Sequence, residues 1–299
     1  MDSVEVLKPG LLTTPQDGGR IGFAHLGIGR AGAFDLPAYR LANALCGNPR
    51  GACALEITLL GPSLRFHADA RIALAGAPLP ARLDDAEQPM WSPLRVRAGQ
   101  SLVLGAMRSG CRAYLAIGGG FDFEPVLGSR STDVNAGLGP MARPLRAGDV
   151  LNFASTPDMR VRGNAAAARW RIDPRPWFDT GRPLRLLPGT HADRLDPQAR
   201  AMLFAQAFTV GTDSNRVGLR LRGAALRLEE PVEMVSEACI AGTLQLPPSG
   251  EPIALGVECP VSGGYPRIGQ IAAADLPRLA QCRPGDALRF APGTTEEAL

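Results

Sequence analysis

Arg97-Ala98-Gly99-Gln100-Ser101-Leu102-Val103-Leu104 returns twice along the chain. It recurs as Arg146-Ala147-Gly148-Asp149-Val150-Leu151-Asn152-Phe153 and as Arg283-Pro284-Gly285-Asp286-Ala287-Leu288-Arg289-Phe290. Each copy places a glycine two residues after an arginine and then enters a short apolar run, which alternates with polar residues at Leu151-Asn152-Phe153 and Leu288-Arg289-Phe290. Glycine supplies the left-handed position of a tight turn, and alternation marks a half-buried strand. Working outward, short β-like runs appear at Ala54 to Thr58, Leu64 to Phe66, Arg71 to Leu74, Leu102 to Leu104, Ala113 to Ile117 and Ile253 to Val257. They are punctuated by 35 glycines and 27 prolines in 299 residues. Short strands at such close spacing predict a barrel or sandwich.

Helical patterns are few. Pro37 to Leu45 follows Asp35, a candidate N-cap, and Gly47 stands where a helix would stop. Pro197 to Ala207 follows Asp196, and Ala273 to Gln281 carries Asp275 near its start. The fold class expected is mainly β with about three short helices. Leu55 to Phe66 also resembles Leu219 to Leu228, and Gly-Gly pairs follow at Gly118 to Gly120 and at Gly263 to Gly264. The same order in both halves predicts an internal duplication. The expected domains are 1–160 and 161–299, free to interleave, with a junction near the Arg- and Pro-rich stretch from Thr156 to Arg182.

Composition excludes several classes. The net charge is +3, without a block of five or six basic residues, so neither nucleic acid nor an anionic membrane is expected as a partner. Lys8 is the sole lysine, so a Schiff-base or phosphate-loop lysine would have to be Lys8. No apolar run approaches the length of a transmembrane helix, and the N-terminus does not read as a signal peptide. The six cysteines form no C-x-x-C pair, which predicts reduced thiols and a cytoplasmic location.

His25, His67 and His191 are far apart, so no metal site is expected. No G-x-S-x-G elbow is present; Gly27 to Gly32 fits G-x-G-x-x-G but lacks a βαβ context. What remains are polar clusters on Gly-rich turns. Gln16, Asp17, Arg20 and His25 could hold a small polar ligand, or Asp17 and Asp35 could cap turns and helices. In Gly128-Ser129-Arg130-Ser131-Thr132, the arginine could fork a carboxylate or phosphate, or could pair with Glu56, which stands inside an apolar strand. The last cluster runs from Ser236-Glu237 and Gln245 through Pro247-Pro248-Ser249-Gly250 and Glu258 to Gly263-Gly264-Tyr265-Pro266-Arg267. Rigid Pro/Gly turns at both ends of a strand predict a fixed surface.

In order along the chain, Lys8-Pro9-Gly10-Leu11, Gln16-Asp17-x-Gly-Arg20, His25-Leu26-Gly27, Gly32-Ala33-x-Asp35, Leu41-Ala42-Asn43 with Gly47-Asn48-Pro49, Leu55-Glu56-Ile57-Thr58 and the Gly128 to Thr132 run resemble the KipA family. The last cluster extends the resemblance through Ile268. The family is also known as the C subunit of 5-oxoprolinase and is similar to carboxyltransferase subdomains A and B of urea carboxylase. The resemblance implies two cyclophilin-like β-barrel subdomains. It implies a KipI-like partner supplying subdomains C and D, a LamB/YcsF-type third subunit, and ATP-driven opening of 5-oxoproline to glutamate by the complex. The alternatives are a carboxyltransferase using biotin carried on another protein, with urea or a similar amide as acceptor, and a KipA-like regulator of a KipI-type kinase inhibitor. The resemblance places catalytic roles on Arg130, Glu237, Gln245 and Glu258. Substrate contacts would fall to Gln16, Asp17, Arg20, His25, Ser129, Ser249, Gly250, Gly264, Tyr265 and Arg267. One departure stands out: where relatives carry Asp-Arg-Gln-Thr-Thr, this chain has Glu258-Cys259-Pro260-Val261-Ser262. That change implies a different substrate or a lost reaction.

Overall fold

A computed structural model describes residues 2–154, 181–230, 232–294 and 296. The described chain forms two compact units. The first holds residues 2–20 and 35–154; the second holds 21–34 and the residues from 181 onward. The junction expected near Thr156 to Arg182 falls almost wholly outside the described residues.

The first unit contains two antiparallel sheets. One has six strands in the order Val150–Phe153, Asp2–Lys8, Ser63–Phe66, Ser101–Leu104, Ala81–Leu83 and Ala86–Gln88. The other has five, in the order Leu12–Gln16, Ala54–Thr58, Arg112–Ile117, Ala70–Gly76 and Pro93–Val96. The six-stranded sheet keeps the predicted alternation: in Ser101–Leu104, Leu102 and Leu104 are buried while Val103 faces out. The central strand Arg112–Ile117 is buried throughout. One of its faces meets the core of Leu55, Ile57, Leu64, Phe66, Ile72, Leu74 and Leu102. The other is covered by the helix Leu36–Leu45, where the rings of Tyr39 and Tyr114 meet edge-on at 6.1 Å. Asp35 caps that helix through the Ala38 N–H at 3.0 Å, as its sequence position predicts.

The second unit is a barrel-like eight-stranded sheet. Its order is Ala287–Leu288, Phe208–Val210, Gly218–Arg222, Ile253–Leu255, Thr243–Gln245, Arg267–Ile271, Leu184–Pro188 and Phe290–Pro292. The two edge strands, Ala287–Leu288 and Phe290–Pro292, are separated in sequence only by Arg289. A chain that reaches from one edge to the other across a single residue requires the sheet to curl back on itself. Helices Pro197–Ala205 and Leu276–Ala280 complete the unit, and Asp196 caps the former through the Ala199 N–H at 2.6 Å. Among the described residues no helix is long and apolar enough to cross a membrane.

The repeated motif is the same turn three times. The arginine N–H donates to a side-chain oxygen three residues on: Arg97 to Gln100 at 2.8 Å, Arg146 to Asp149 at 2.7 Å, and Arg283 to Asp286 at 2.8 Å. Gly99, Gly148 and Gly285 all adopt left-handed backbone. Their N–H groups reach the carbonyls of Phe66, Val6 and Val210. Two copies lie in the first unit and one in the second, so the motif records a recurring strand entry. The other echo diverges in backbone. Residues 55–66 span two strands in different sheets, whereas 219–228 span one strand and an irregular segment. Gly119 and Gly120 are left-handed, and Gly263 and Gly264 are not.

Glu56 does pair with an arginine, but with Arg112 at 3.4 Å, not Arg130. Arg112 lies on the neighbouring strand of the same sheet. Tyr114 donates its hydroxyl proton to Glu56 at 2.7 Å and accepts the Asp35 N–H at 2.7 Å. Burial, reinforced by Glu56, pushes the Tyr114 phenol well above its ordinary range. This network joins the helix start to the sheet centre. Because Glu56 and Arg112 are both buried, Glu56→Ala should destabilise the chain by about 3–5 kcal/mol by stranding the guanidinium. Urea unfolding followed by tyrosine fluorescence measures the loss, and Glu56→Leu combined with Arg112→Met should recover most of it.

Candidate functional site

In the first unit the polar motifs converge on one carboxylate. Asp17 Oδ1 accepts from the Ser129 hydroxyl at 2.6 Å, the Ser131 hydroxyl at 2.6 Å and the Gly19 N–H at 2.8 Å. Asp17 Oδ2 accepts from the Arg130 N–H at 2.6 Å. The Asp17 N–H in turn donates to Ser131 Oγ at 3.0 Å. A buried carboxylate needs this degree of pairing. Arg20 lies alongside, donating to the carbonyls of Ser131 at 2.5 Å and Val126 at 3.2 Å. The Gln16 amide donates to the Thr132 carbonyl at 2.8 Å and to Thr14 Oγ1 at 3.0 Å. The structure thus joins Gln16, Asp17, Arg20, Ser129 and Arg130 in one loop cluster. Its internal hydrogen bonds account for most of their polar atoms. Exceptions remain among the described residues: Gln16 Oε1 is buried without a partner, and Arg130, whose Nε donates to the Phe123 carbonyl at 2.7 Å, has terminal nitrogens that meet no acceptor.

In the second unit the sequence-nominated residues fall into three places. The first centres on the ribbon of Glu237–Ala238 paired with Ser262–Gly263. Arg267 forms an ion pair with Glu237 and donates to the Ala238 carbonyl at 3.0 Å. Gln245 sits opposite Arg267 in the sheet register and is buried; its amide donates to Cys239 Sγ at 3.3 Å. Cys239, Ile253, Leu255 and Cys259 form a small apolar cluster of their own. Burial pushes the Cys239 thiol up, and pushes Cys259 up to about 11, so neither is a thiolate at neutral pH.

Glu258 occupies the second place. It is buried, and Arg216 Nε donates to it at 2.5 Å while Arg216 Nη2 donates to the Gly32 carbonyl at 2.6 Å. This pair ties the 21–34 segment into the unit. The third place is a shallow cleft lined by Ser249, Tyr265, Arg222 and Glu251. Arg222 pairs there with Glu251 and with Asp213 at 3.0 Å. Gly250 shapes the turn at this cleft: its backbone is left-handed, and a Cβ would lie 2.7 Å from the Leu226 carbonyl oxygen. His25 is exposed on the short 3-10 turn Ala24–Leu26 of the same unit.

Arg216, Arg222 and His191 were not legible as site residues. His191 Nδ1 accepts the Arg267 main-chain N–H at 3.2 Å, and the His191 main-chain N–H donates to the Arg267 carbonyl at 3.0 Å. Gly189 permits this close approach, since a Cβ there would lie 2.2 Å from the Arg267 carbonyl oxygen. The signal for His191 was its position after Pro188-Gly189, a rigid turn leaving a strand. Among the described residues no group of three or more His, Cys, Asp or Glu is placed to hold a metal ion.

The model of the carboxyltransferase domain, subdomain A and B, matches residues 26–292. The chain is 38% identical to the C subunit of 5-oxoprolinase from Escherichia coli (strain K12), over 99% of its own length and 93% of that protein. It is 30% identical to urea amidolyase of Saccharomyces cerevisiae, again over 99% of its length but 17% of that protein. The crystal structure of the Kluyveromyces lactis urea carboxylase superposes with a TM-score of 0.87 at 31% identity, covering 99% of this chain and 28% of that one.

The two glycines of the Gly-Gly-Tyr-Pro turn have different burdens. A Cβ on Gly263 would lie 2.5 Å from Gln245 Nε2 and 3.1 Å from Cys239 Sγ, whereas one on Gly264 would meet nothing closer than 3.8 Å. Gly263→Ala should therefore displace Gln245 and destabilise the chain by about 1–3 kcal/mol. Gly264→Ala should leave the urea midpoint unchanged within error. Equal shifts for the two would contradict the placement of Gln245 beneath the ribbon.

Proposed function

The chain belongs to the carboxyltransferase subdomain A and B family, and from that premise we propose that it is a subunit of an ATP-dependent assembly of the 5-oxoprolinase type. The assembly opens the lactam amide of 5-oxoproline to give glutamate. A KipI-like protein with the C and D subdomains is its partner, and a LamB/YcsF-type subunit is the third member. The observation that supports this reading most is the match at 38% identity across 93% of a protein named as a 5-oxoprolinase subunit.

The chemistry proposed for this chain is recognition. Ring opening of a lactam adds water across C–N and develops negative charge on the carbonyl oxygen, so fixed donors accelerate it. Arg267, held by Glu237 and by the His191 clamp, supplies such a donor. Ser249 and Tyr265 are proposed substrate contacts, and the buried Gln245 is proposed to hold the ribbon beside Arg267. Glu258 is proposed as a structural anchor, since its charge is already matched by Arg216.

A second reading has its own support. The TM-score of 0.87 to a urea carboxylase favours carboxyl transfer from carboxybiotin to a urea-like amide. The same donors would stabilise the developing anion there, with the biotin carried by another protein.

Co-expression with KipI-like and LamB/YcsF-type subunits decides between them. ATP-dependent loss of 5-oxoproline with stoichiometric glutamate is the expected result. Bicarbonate- and biotin-dependent consumption of urea would replace the first reading with the second. Within the active assembly, Arg267→Gln should lower kcat/KM by about tenfold to a hundredfold, and His191→Asn, which keeps an acceptor for the Arg267 N–H, should lower it less than His191→Leu.

A further inference from the structure

The first unit contains a cleft of about 210 Å³ between the 49–53 loop and the turn Gly119 to Asp122. Arg130 and Asp122 both line it, and Cys53 lies at its wall. These two residues carry opposite charges yet form no ion pair with each other or with any described residue. Arg112, Arg143, Arg185, Arg216 and Arg267 each meet a carboxylate; Arg130 does not.

Arg130 is nonetheless held in place. Its main-chain N–H is fixed by Asp17, and its Nε by the Phe123 carbonyl at 2.7 Å. That leaves two terminal nitrogens of a partly buried guanidinium for a ligand. Its charge is felt inside the cleft: burial and then Asp17 push the Cys53 thiol up, and Arg130 works in the opposite direction. The Asp122 N–H is fixed by the Asn152 carbonyl at 2.8 Å, while its exposed carboxylate has no partner among the described residues. Backbone also lines the cleft, at the turn that leads to Asp122. Gly119 and Gly120 are both left-handed, and a Cβ on Gly119 would lie 2.4 Å from the Ala154 carbonyl oxygen.

We propose that this cleft binds a small zwitterion, an α-amino acid, with its carboxylate on the Arg130 terminal nitrogens and its ammonium on Asp122. A planar guanidinium matches a carboxylate, and the unpaired Asp122 carboxylate in the same cleft suits an ammonium. The volume is below that of a drug-sized pocket and fits a ligand of amino-acid size. The site requires no other subunit and no ATP. If the 5-oxoprolinase reading also holds, the cleft separates product from substrate, since glutamate carries an ammonium and the lactam does not.

Isothermal titration of the full chain alone, without ATP or other subunits, tests this. Glycine, L-alanine, L-glutamate and L-arginine are the probes, with glutarate and 5-oxoproline as analogues lacking the ammonium. At least one amino acid should bind, and L-glutamate should bind at least about tenfold more tightly than glutarate or 5-oxoproline. Asp122→Asn and Arg130→Gln should each weaken amino-acid binding by about tenfold or more. Asp122 is exposed, so its variant should fold normally and keeps the outcome interpretable. No binding of any probe at millimolar concentration, or binding indifferent to Asp122→Asn, overturns the site. Either result leaves the ATP-dependent activity of the assembly to be judged separately.

Discussion

A single buried carboxylate organises the loops of the first unit. Asp17 draws the Gly19 and Arg130 amides and the Ser129 and Ser131 hydroxyls onto its two oxygens. Ionised carboxylates can be buried only when their lone pairs are satisfied, so the Gln16 to Arg20 and Gly128 to Thr132 segments are obliged to meet, though more than a hundred residues separate them. The side chain of Arg130 owes its direction to that meeting. Its main chain is fixed by Asp17, and its Nε then finds the Phe123 carbonyl.

The same rule recurs at three other buried carboxylates among the described residues. Glu56 meets Arg112 and Tyr114, Glu258 meets Arg216, and Asp275 meets Arg185 and Arg278. Burial alone would raise the Asp275 pKa, but the hydrogen bonds from Arg185 outweigh it and hold that carboxyl below its ordinary value. An arginine-rich chain with a single lysine uses planar guanidinium groups for these internal ties. The groups left over are the ones open to chemistry. Among the described residues these include Arg130 and Asp122 in the first unit; in the second, the Arg267–Glu237 pair is only partly buried.

Much of this was legible in the sequence. The strand at Ala54–Thr58 and the helix caps Asp35 and Asp196 stand where local rules put them, because turn glycines and capping carboxylates act over three or four residues. The Arg-x-Gly turn was legible for the same reason. The partner of Glu56 was not, since Arg112 and Arg130 are equally plausible in a one-dimensional reading and only strand pairing chooses between them. Arg216 was invisible because its role depends on Glu258 and on a segment, 21–34, that belongs to the other end of the chain. His191 was hidden likewise: its meaning comes from a backbone contact with Arg267 that only the barrel creates. The polar motifs of the first unit do converge in space, but spacing could not separate Asp17, which holds a loop, from Arg130, which that loop presents.

The dependence of the first unit's loops on Asp17 is open to one direct measurement, native-state amide hydrogen exchange at Gly19 and Arg130. Both amides belong to loops, which ordinarily exchange quickly. If Asp17 holds them, they exchange as slowly as the buried strand Arg112–Ile117 and become fast in Asp17→Ala while that strand stays protected. Rapid exchange of the two amides in the unmodified chain would contradict the account.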